Sequence, residues 1–219
     1  IAANSTNKVY GTPLNLGTNA FTSVGLVNGE TIGGVSLSSA GATNTAGVGA
    51  YPITPSNAGG GSFNPNNYSL VYSNGTLTVG IANYTANWTN PVPIVYGTPL
   101  GTNQNAATAS IPGGFVYNPT NGVILPVGSN TLAVVFTPSD TNYLSTNLTV
   151  VQVVVPAPLV ITANSTNKVY GTTLNLGTNA FSSVGLVNGE TIGGVSLSSA
   201  GATNTAAVGT YPIVPSNAG

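Results

Sequence analysis

Large apolar residues alternate with small or polar ones along much of this chain, and the period is two. Tyr68, Leu70 and Tyr72 alternate with their neighbours, and Leu77 and Val79 alternate with Thr76 and Thr78. That spacing predicts a half-buried strand over 68–72 and another over 76–79. Asn74-Gly75 between them predicts a tight hairpin turn. A second pair is predicted by Phe115-Val116-Tyr117, the turn-forming stretch 118–122, and Val123-Ile124-Leu125. Longer apolar runs at 131–137 and 148–155 read as further strands. No segment keeps a 3.6-residue period, and 15 Pro and 29 Gly interrupt the chain too often for long helices. One helical turn is expected near Leu14–Val24. The pattern predicts an all-β protein.

A longer period overlies the short one. Val-Tyr-Gly-Thr-Pro-Leu stands at 9–14 and again at 95–100, and Val-Tyr-Gly-Thr-Thr-Leu stands at 169–174. Residues 1–59 align without a gap on 161–219 and differ at six positions: Ala2/Thr162, Pro13/Thr173, Thr22/Ser182, Gly47/Ala207, Ala50/Thr210 and Thr54/Val214. The arrangement is A–B–A′, with A at 1–79, B at 80–157 and A′ at 158–219. The shared hexapeptide reads as a strand-to-loop corner. Val and Tyr end a strand, Gly permits the change of direction, and Thr-Pro continues extended. A′ holds no equivalent of Asn67–Val79, the expected closing hairpin of A. Its edge is therefore expected to be completed by continuation of its own chain or by strands of a neighbour, the first being favoured.

Composition narrows the function. Charged residues are 2% of the chain, against roughly 25% in ordinary soluble domains. Two Lys cannot neutralise a row of phosphates, so no nucleic-acid partner is expected. His, Cys and Met are absent. That removes the usual general base, thiolate and soft metal ligands, so neither an enzyme nor a cofactor is expected. At 41% hydrophobic the chain is too apolar for a disordered tail, and no apolar run approaches a membrane-spanning length.

Several blocks of A carry a family resemblance. They are Lys8-Val9-Tyr10-Gly11-Thr12-Pro13-Leu14, Gly25–Thr31, Val48-Gly49-Ala50-Tyr51-Pro52-Ile53, and Asn67-Tyr68 followed by Asn74–Val79. In order and spacing A resembles the bacterial MBG domain of the YGX type, and A′ carries the first three blocks. The resemblance implies a β-rich, grasp-like module of large surface and adhesin-like proteins, and it assigns no catalytic residues. B is similar to a bacterial Ig-like repeat. The residues that carry this are Trp88, Pro91, Ile94–Leu100, Phe115–Pro119 and Leu132–Tyr143, and they imply a sandwich with Trp88, Phe115 and Phe136 in its core.

Chemistry has few candidates. Lys8 and Glu30 are the only charged residues of A, and Lys168 and Glu190 are their counterparts. Each pair reads as an ion pair or polar anchor. The sharper alternative is a Lys–Asn isopeptide crosslink with the glutamate shuttling protons, which requires a desolvated lysine. Asp140 reads as the anchor of an Asx-type turn rather than a calcium ligand. Glycosylation sequons occur at Asn4, Asn67, Asn74, Asn83, Asn87, Asn147 and Asn164. Tyr51, Tyr68, Tyr72 and Tyr84 read as packing aromatics, with a sugar platform as the alternative. Gly59-Gly60-Gly61 lacks a phosphate-binding fingerprint and reads as a loop.

The expected function is a structural segment of a long extracellular, cell-surface repeat protein. Stacked modules with short, Pro-stiffened connectors would form an elongated rod, as a stalk, fibre or filament whose partners are copies of itself. The alternative is an adhesin module that binds glycan or a surface protein.

Overall fold

The computed structural model describes residues 1–219, and every regular element apart from three single 3-10 turns is a β-strand. No helix is long and apolar enough to cross a membrane. Copy A contains β1 (Ala2–Ala3), β2 (Thr6–Val9), β3 (Phe21–Thr22), β4 (Ile32–Ser38), β5 (Gly49–Gly61) and β6 (Gly75–Gly80). A four-stranded sheet runs β2-β6-β5-β4, and β1 pairs with β3. Strand β6 is central. It lies parallel to β2, with Thr6 opposite Leu77, and antiparallel to β5, with Tyr51 opposite Leu77.

The predicted alternation in β6 is present, because Leu77 and Val79 are buried while Thr76 and Thr78 face out. Leu77 forms a core with Ala3 and Ile53, covered by Leu14, Leu16, Leu37, Ala42 and Tyr51. A 3-10 turn at Ala40–Ala42 begins at Ser39, whose Oγ accepts from the Gly41 N–H. A Cβ at Gly41 would lie 2.7 Å from the Tyr51 ring, so glycine lets the turn press on that face.

The predicted Asn74-Gly75 hairpin does not form. Residues 68–72 are not a strand, and β6 takes its partners from β2 and β5. Tyr68 and Tyr72 are instead held through their hydroxyls, Tyr72 accepting from the Ala58 N–H at 3.0 Å. Gly75 serves close approach rather than a turn. A Cβ there would lie 2.6 Å from the Ala3 carbonyl oxygen, and its φ is not positive. The helical turn expected near Leu14–Val24 is also absent; that stretch contains β3, and the 3-10 turns lie at Ala40–Ala42, Pro65–Asn67 and Ala200–Ala202.

B contributes β7 (Ala86–Asn87), β8 (Ile94–Val95), β9 (Thr108–Ala109), β10 (Gly113–Asn118), β11 (Gly128–Pro138) and β12 (Thr146–Val155). Its four-stranded sheet runs β10-β11-β12-β8, with β8 parallel to β12, and β7 pairs with β9. The expected runs at 131–137 and 148–155 fall within β11 and β12. The return strand expected at 123–125 is replaced by a single bridge, Ile124 to Pro99, because the Val123 carbonyl accepts from the Leu100 N–H.

A′ contains β13 (Val160–Ala163), β14 (Phe181–Val184), β15 (Ser196–Ser198) and β16 (Val214–Ser216), paired as β13-β14 and β15-β16. Local geometry repeats that of A. Gly11 and Gly171 share φ 84°, and Asn28 and Asn188 share φ 55°. Strands β15 and β16 are shorter than β4 and β5, whereas β13 and β14 are longer than β1 and β3. Thr166–Val169, the counterpart of β2, forms no strand.

Packing divides the chain into two compact units. The first comprises Ile1–Asn87, Ala107–Val116 and Val134–Leu148, and the second comprises Trp88–Ala106, Tyr117–Ala133 and Thr149–Gly219. Each unit thus joins one copy of the repeat to part of B.

Candidate functional site at the module joints

The recurring hexapeptide forms the corner its residue types predict. Val9 ends β2 and Val95 ends β8. Gly11, Gly97 and Gly171 have φ of 84°, 94° and 84°, a region favouring glycine. The threonine N–H closes each turn on the valine carbonyl, at 3.3 Å for Thr12, 3.0 Å for Thr98 and 3.2 Å for Thr172. The turn accounts for Gly and Thr, but it makes no demand for tyrosine.

Tyrosine is used at the joints. In the first unit, Tyr10 of A meets the 140–143 loop of B. Its ring stands edge-on to Tyr143 at 5.8 Å. Tyr143 meets Tyr84 at 6.0 Å, Tyr84 meets Phe136 at 5.4 Å, and Phe136 meets Phe115 at 4.7 Å. These spacings lie in the range of favourable aromatic pairs. A continuous line of rings therefore runs from the corner of A into the buried Phe136 of B.

Polar contacts fix the same joint. Asp140 anchors an Asx-type turn, as expected. Its Oδ1 accepts from the Asn142 N–H at 2.9 Å and from Asn142 Nδ2 at 2.6 Å. Asn142 Oδ1, so oriented, accepts from the Val48 N–H at 2.7 Å, and its carbonyl accepts from the Ala82 N–H at 3.0 Å. The backbone hydrogen bond from Asn142, helped by the Tyr10 hydroxyl, holds the Asp140 carboxyl below its usual range against the opposing effect of desolvation. The Tyr10 hydroxyl is pushed up in turn, first by its hydrogen bond to Asp140 and then by that charge.

In the second unit, the corner of B meets A′. Tyr96 donates its hydroxyl to Glu190 Oε1 at 2.7 Å. A Cβ at Gly97 would lie 2.9 Å from Val187 Cβ, so the glycine lies directly on that side chain. Tyr96 also packs on the B core of Ile94, Leu100, Leu125, Leu132, Val150 and Val154. Trp88 covers the same cluster and donates its indole N–H to the Gln104 carbonyl at 2.9 Å. Of the three expected core aromatics of B, Trp88 thus packs in the second unit, while Phe115 and Phe136 pack in the first.

The charged candidates have separate partners. Lys8 is 7% exposed, and its ammonium donates to the carbonyls of Thr12 at 2.9 Å and Thr43 at 2.7 Å. Lys168 makes the same bonds to Thr172 and Thr203 at 3.1 and 2.8 Å from a more exposed position. Glu30 accepts from the Tyr68 hydroxyl, and that hydrogen bond pushes the Tyr68 pKa up. The structure therefore places the lysine of each copy on backbone carbonyls and the glutamate on a tyrosine.

All seven sequon asparagines are exposed. The four candidate platform tyrosines are engaged at their hydroxyls. Tyr51 donates to Gly47 and Tyr84 to Leu144, Tyr68 is held by Glu30, and Tyr72 accepts from Ala58. Gly60 and Gly61 end β5 opposite Gly33, so the Gly-rich stretch expected as a loop is the end of a strand. Sequence reasoning did not identify Tyr10, Tyr96, Asn142 and Tyr143 as joint residues. The available signal was a tyrosine conserved between copies of a turn that does not need one.

The profile of the MBG domain (YGX type) matches residues 1–78 and 159–219, which is more than half of the chain. The chain belongs to that family. No curated protein matches it. No solved structure matches it either.

Proposed function

We propose that this chain is a structural segment of a long extracellular repeat protein, serving as a stalk, fibre or filament. The observation that carries the reading is the use of the one repeated hexapeptide. Its tyrosine is spent on contacts between successive modules, Tyr10 on the Asp140–Tyr143 loop and Tyr96 on Glu190. A repeat whose recurrent residue joins neighbours suits a load-bearing array, in which stability is shared between modules and their interfaces. MBG membership is in keeping with a surface repeat protein. A chain with 2% charged residues has weak repulsion between copies, which favours association with itself.

The role is mechanical rather than catalytic. B is read as an Ig-like spacer between the copies, and the assembled product as an elongated rod. Small-angle scattering with electron microscopy tests this. Elongated particles, assembling further with concentration, are expected. Compact particles, together with micromolar binding on a glycan array, would replace the reading with an adhesin module.

A further inference from the structure

Cysteine and methionine are the side chains that oxidants usually take first, and this chain has neither. Histidine is absent as well, which leaves 10 Tyr and one Trp as its readily oxidised side chains. Tyr170 is the tyrosine open to solvent, at 66% exposure, and the others are half-buried. Two tyrosine–tyrosine contacts meet at Tyr143 in the first unit. Tyr10 stands edge-on to it at 5.8 Å and 89°, and Tyr84 at 6.0 Å and 80°. The two differ in what holds the hydroxyl. Tyr84 donates to the neutral Leu144 carbonyl at 2.7 Å. Tyr10 donates to the Asp140 carboxylate, which Asn142 fixes through its N–H and Nδ2. A phenol gives up an electron readily when its proton can leave with it, and a hydrogen-bonded carboxylate is placed to take that proton.

We propose that Tyr10 and Tyr143 form a dityrosine crosslinking site, at which oxidation fastens copy A covalently to B. The oxidant is a haem peroxidase turning over hydrogen peroxide. It removes one electron from each phenol. The Tyr10 proton passes to Asp140 and on to solvent, and the Tyr143 proton passes to water. The two phenoxyl radicals join through a carbon–carbon bond at ring positions ortho to their oxygens. The ring hydrogens at those positions move to the oxygens and restore both phenols. Two electrons and two protons are lost in all, and they convert one hydrogen peroxide to two waters. The rings already touch, so coupling within the chain outruns coupling between dilute chains. Tyr10 is preferred over Tyr84 as the partner of Tyr143 because its hydroxyl rests on a carboxylate rather than a carbonyl. The proposal goes beyond the array reading and stands on this contact, whatever the shape of the assembled particles.

The test exposes the dilute 219-residue chain to a haem peroxidase and hydrogen peroxide, followed by intact-mass and peptide analysis. Relative to the untreated chain, the monomer is expected to lose two hydrogen atoms in mass and to gain dityrosine fluorescence. Proteolysis should then release the peptides of Tyr10 and Tyr143 joined. Tyr10→Phe and Tyr143→Phe should each abolish that product, and Tyr84→Phe should leave it, with circular dichroism checking that each variant folds. Asp140→Asn can keep the Asx turn but cannot take the proton, so it should slow the crosslinking severalfold. The crosslinked monomer should unfold at a higher urea midpoint, because a tie between distant residues restricts the unfolded chain. Tyrosine oxidised with the monomer unlinked, a link made through Tyr84, or dimers joined through Tyr170 in place of the monomer product would each overturn the proposal. An undiminished rate in Asp140→Asn or an unmoved urea midpoint would overturn it as well. Scattering on the same sample reads particle shape separately, so failure of the crosslink leaves the array reading standing.

Discussion

Replacing Lys8 and Lys168 separately by Met gives a useful comparison, because both ammoniums donate to the same pair of threonine carbonyls, while Lys8 is buried in β2 and Lys168 is more exposed in a segment that forms no strand. Lys8 is 7% exposed and donates to two carbonyls, at 2.9 and 2.7 Å. Hydrogen bonds to a charged group contribute about 1.5–3 kcal/mol each. Removing the ammonium also removes its desolvation cost, several kcal/mol for a buried ion, which offsets part of the loss. The carbonyls of Thr12 and Thr43 lose their donor in a place water reaches poorly. The net expectation for Lys8→Met is a loss of about 2–3 kcal/mol. At Lys168, water replaces the ammonium, and the expectation is under about 1 kcal/mol. Urea unfolding followed by far-ultraviolet circular dichroism measures both, provided the m-value is unchanged. Equal losses for the two variants, or no loss at Lys8, would refute the argument that burial of this cation matters.

Gly75→Ala should cost about 3 kcal/mol or more, read as a lowered urea midpoint, because its Cβ would lie 2.6 Å from the Ala3 carbonyl oxygen. The Asp140 carboxyl is held low, so its contribution is present above the unfolded value of about 3.9 and is lost as pH falls through the folded value. Acid unfolding of wild type should therefore show a loss in that window that Asp140→Asn lacks. Tyr10 is held high, so its contribution is full below about 10 and is lost as pH rises through the folded value; Tyr10→Phe should flatten the alkaline limb of the same profile. Intact mass should equal the sequence mass, since each lysine ammonium is held by backbone carbonyls; loss of one ammonia would indicate a crosslink and contradict this.

The all-β class, the repeat and the longest strands were legible because alternation and near-identity are local properties. β11 and β12 follow from apolar runs bounded by turn residues, and the Asx turn at Asp140 follows from its own sequence. The partners of β6 were not legible. Asn74-Gly75 carries the strongest short hairpin signal, yet glycine there answers a contact with Ala3 across the fold, which local sequence does not encode. The joints were hidden for a similar reason. Tyr10 and Tyr143 are distant in sequence, and each fits its own local motif without the other.

The most direct test of the account is the rigidity of the joints, measured by pulsed electron paramagnetic resonance. With no native cysteine, label pairs can be placed at exposed Thr22 and Asn147 in the first unit, and at exposed Thr102 and Ser182 in the second. The account predicts one narrow distance distribution for each pair, broadened by Tyr10→Phe with Asp140→Asn in the first unit and by Tyr96→Phe in the second. Broad distributions in the unaltered chain, unmoved by these substitutions, would contradict a segment built to hold its modules in fixed register.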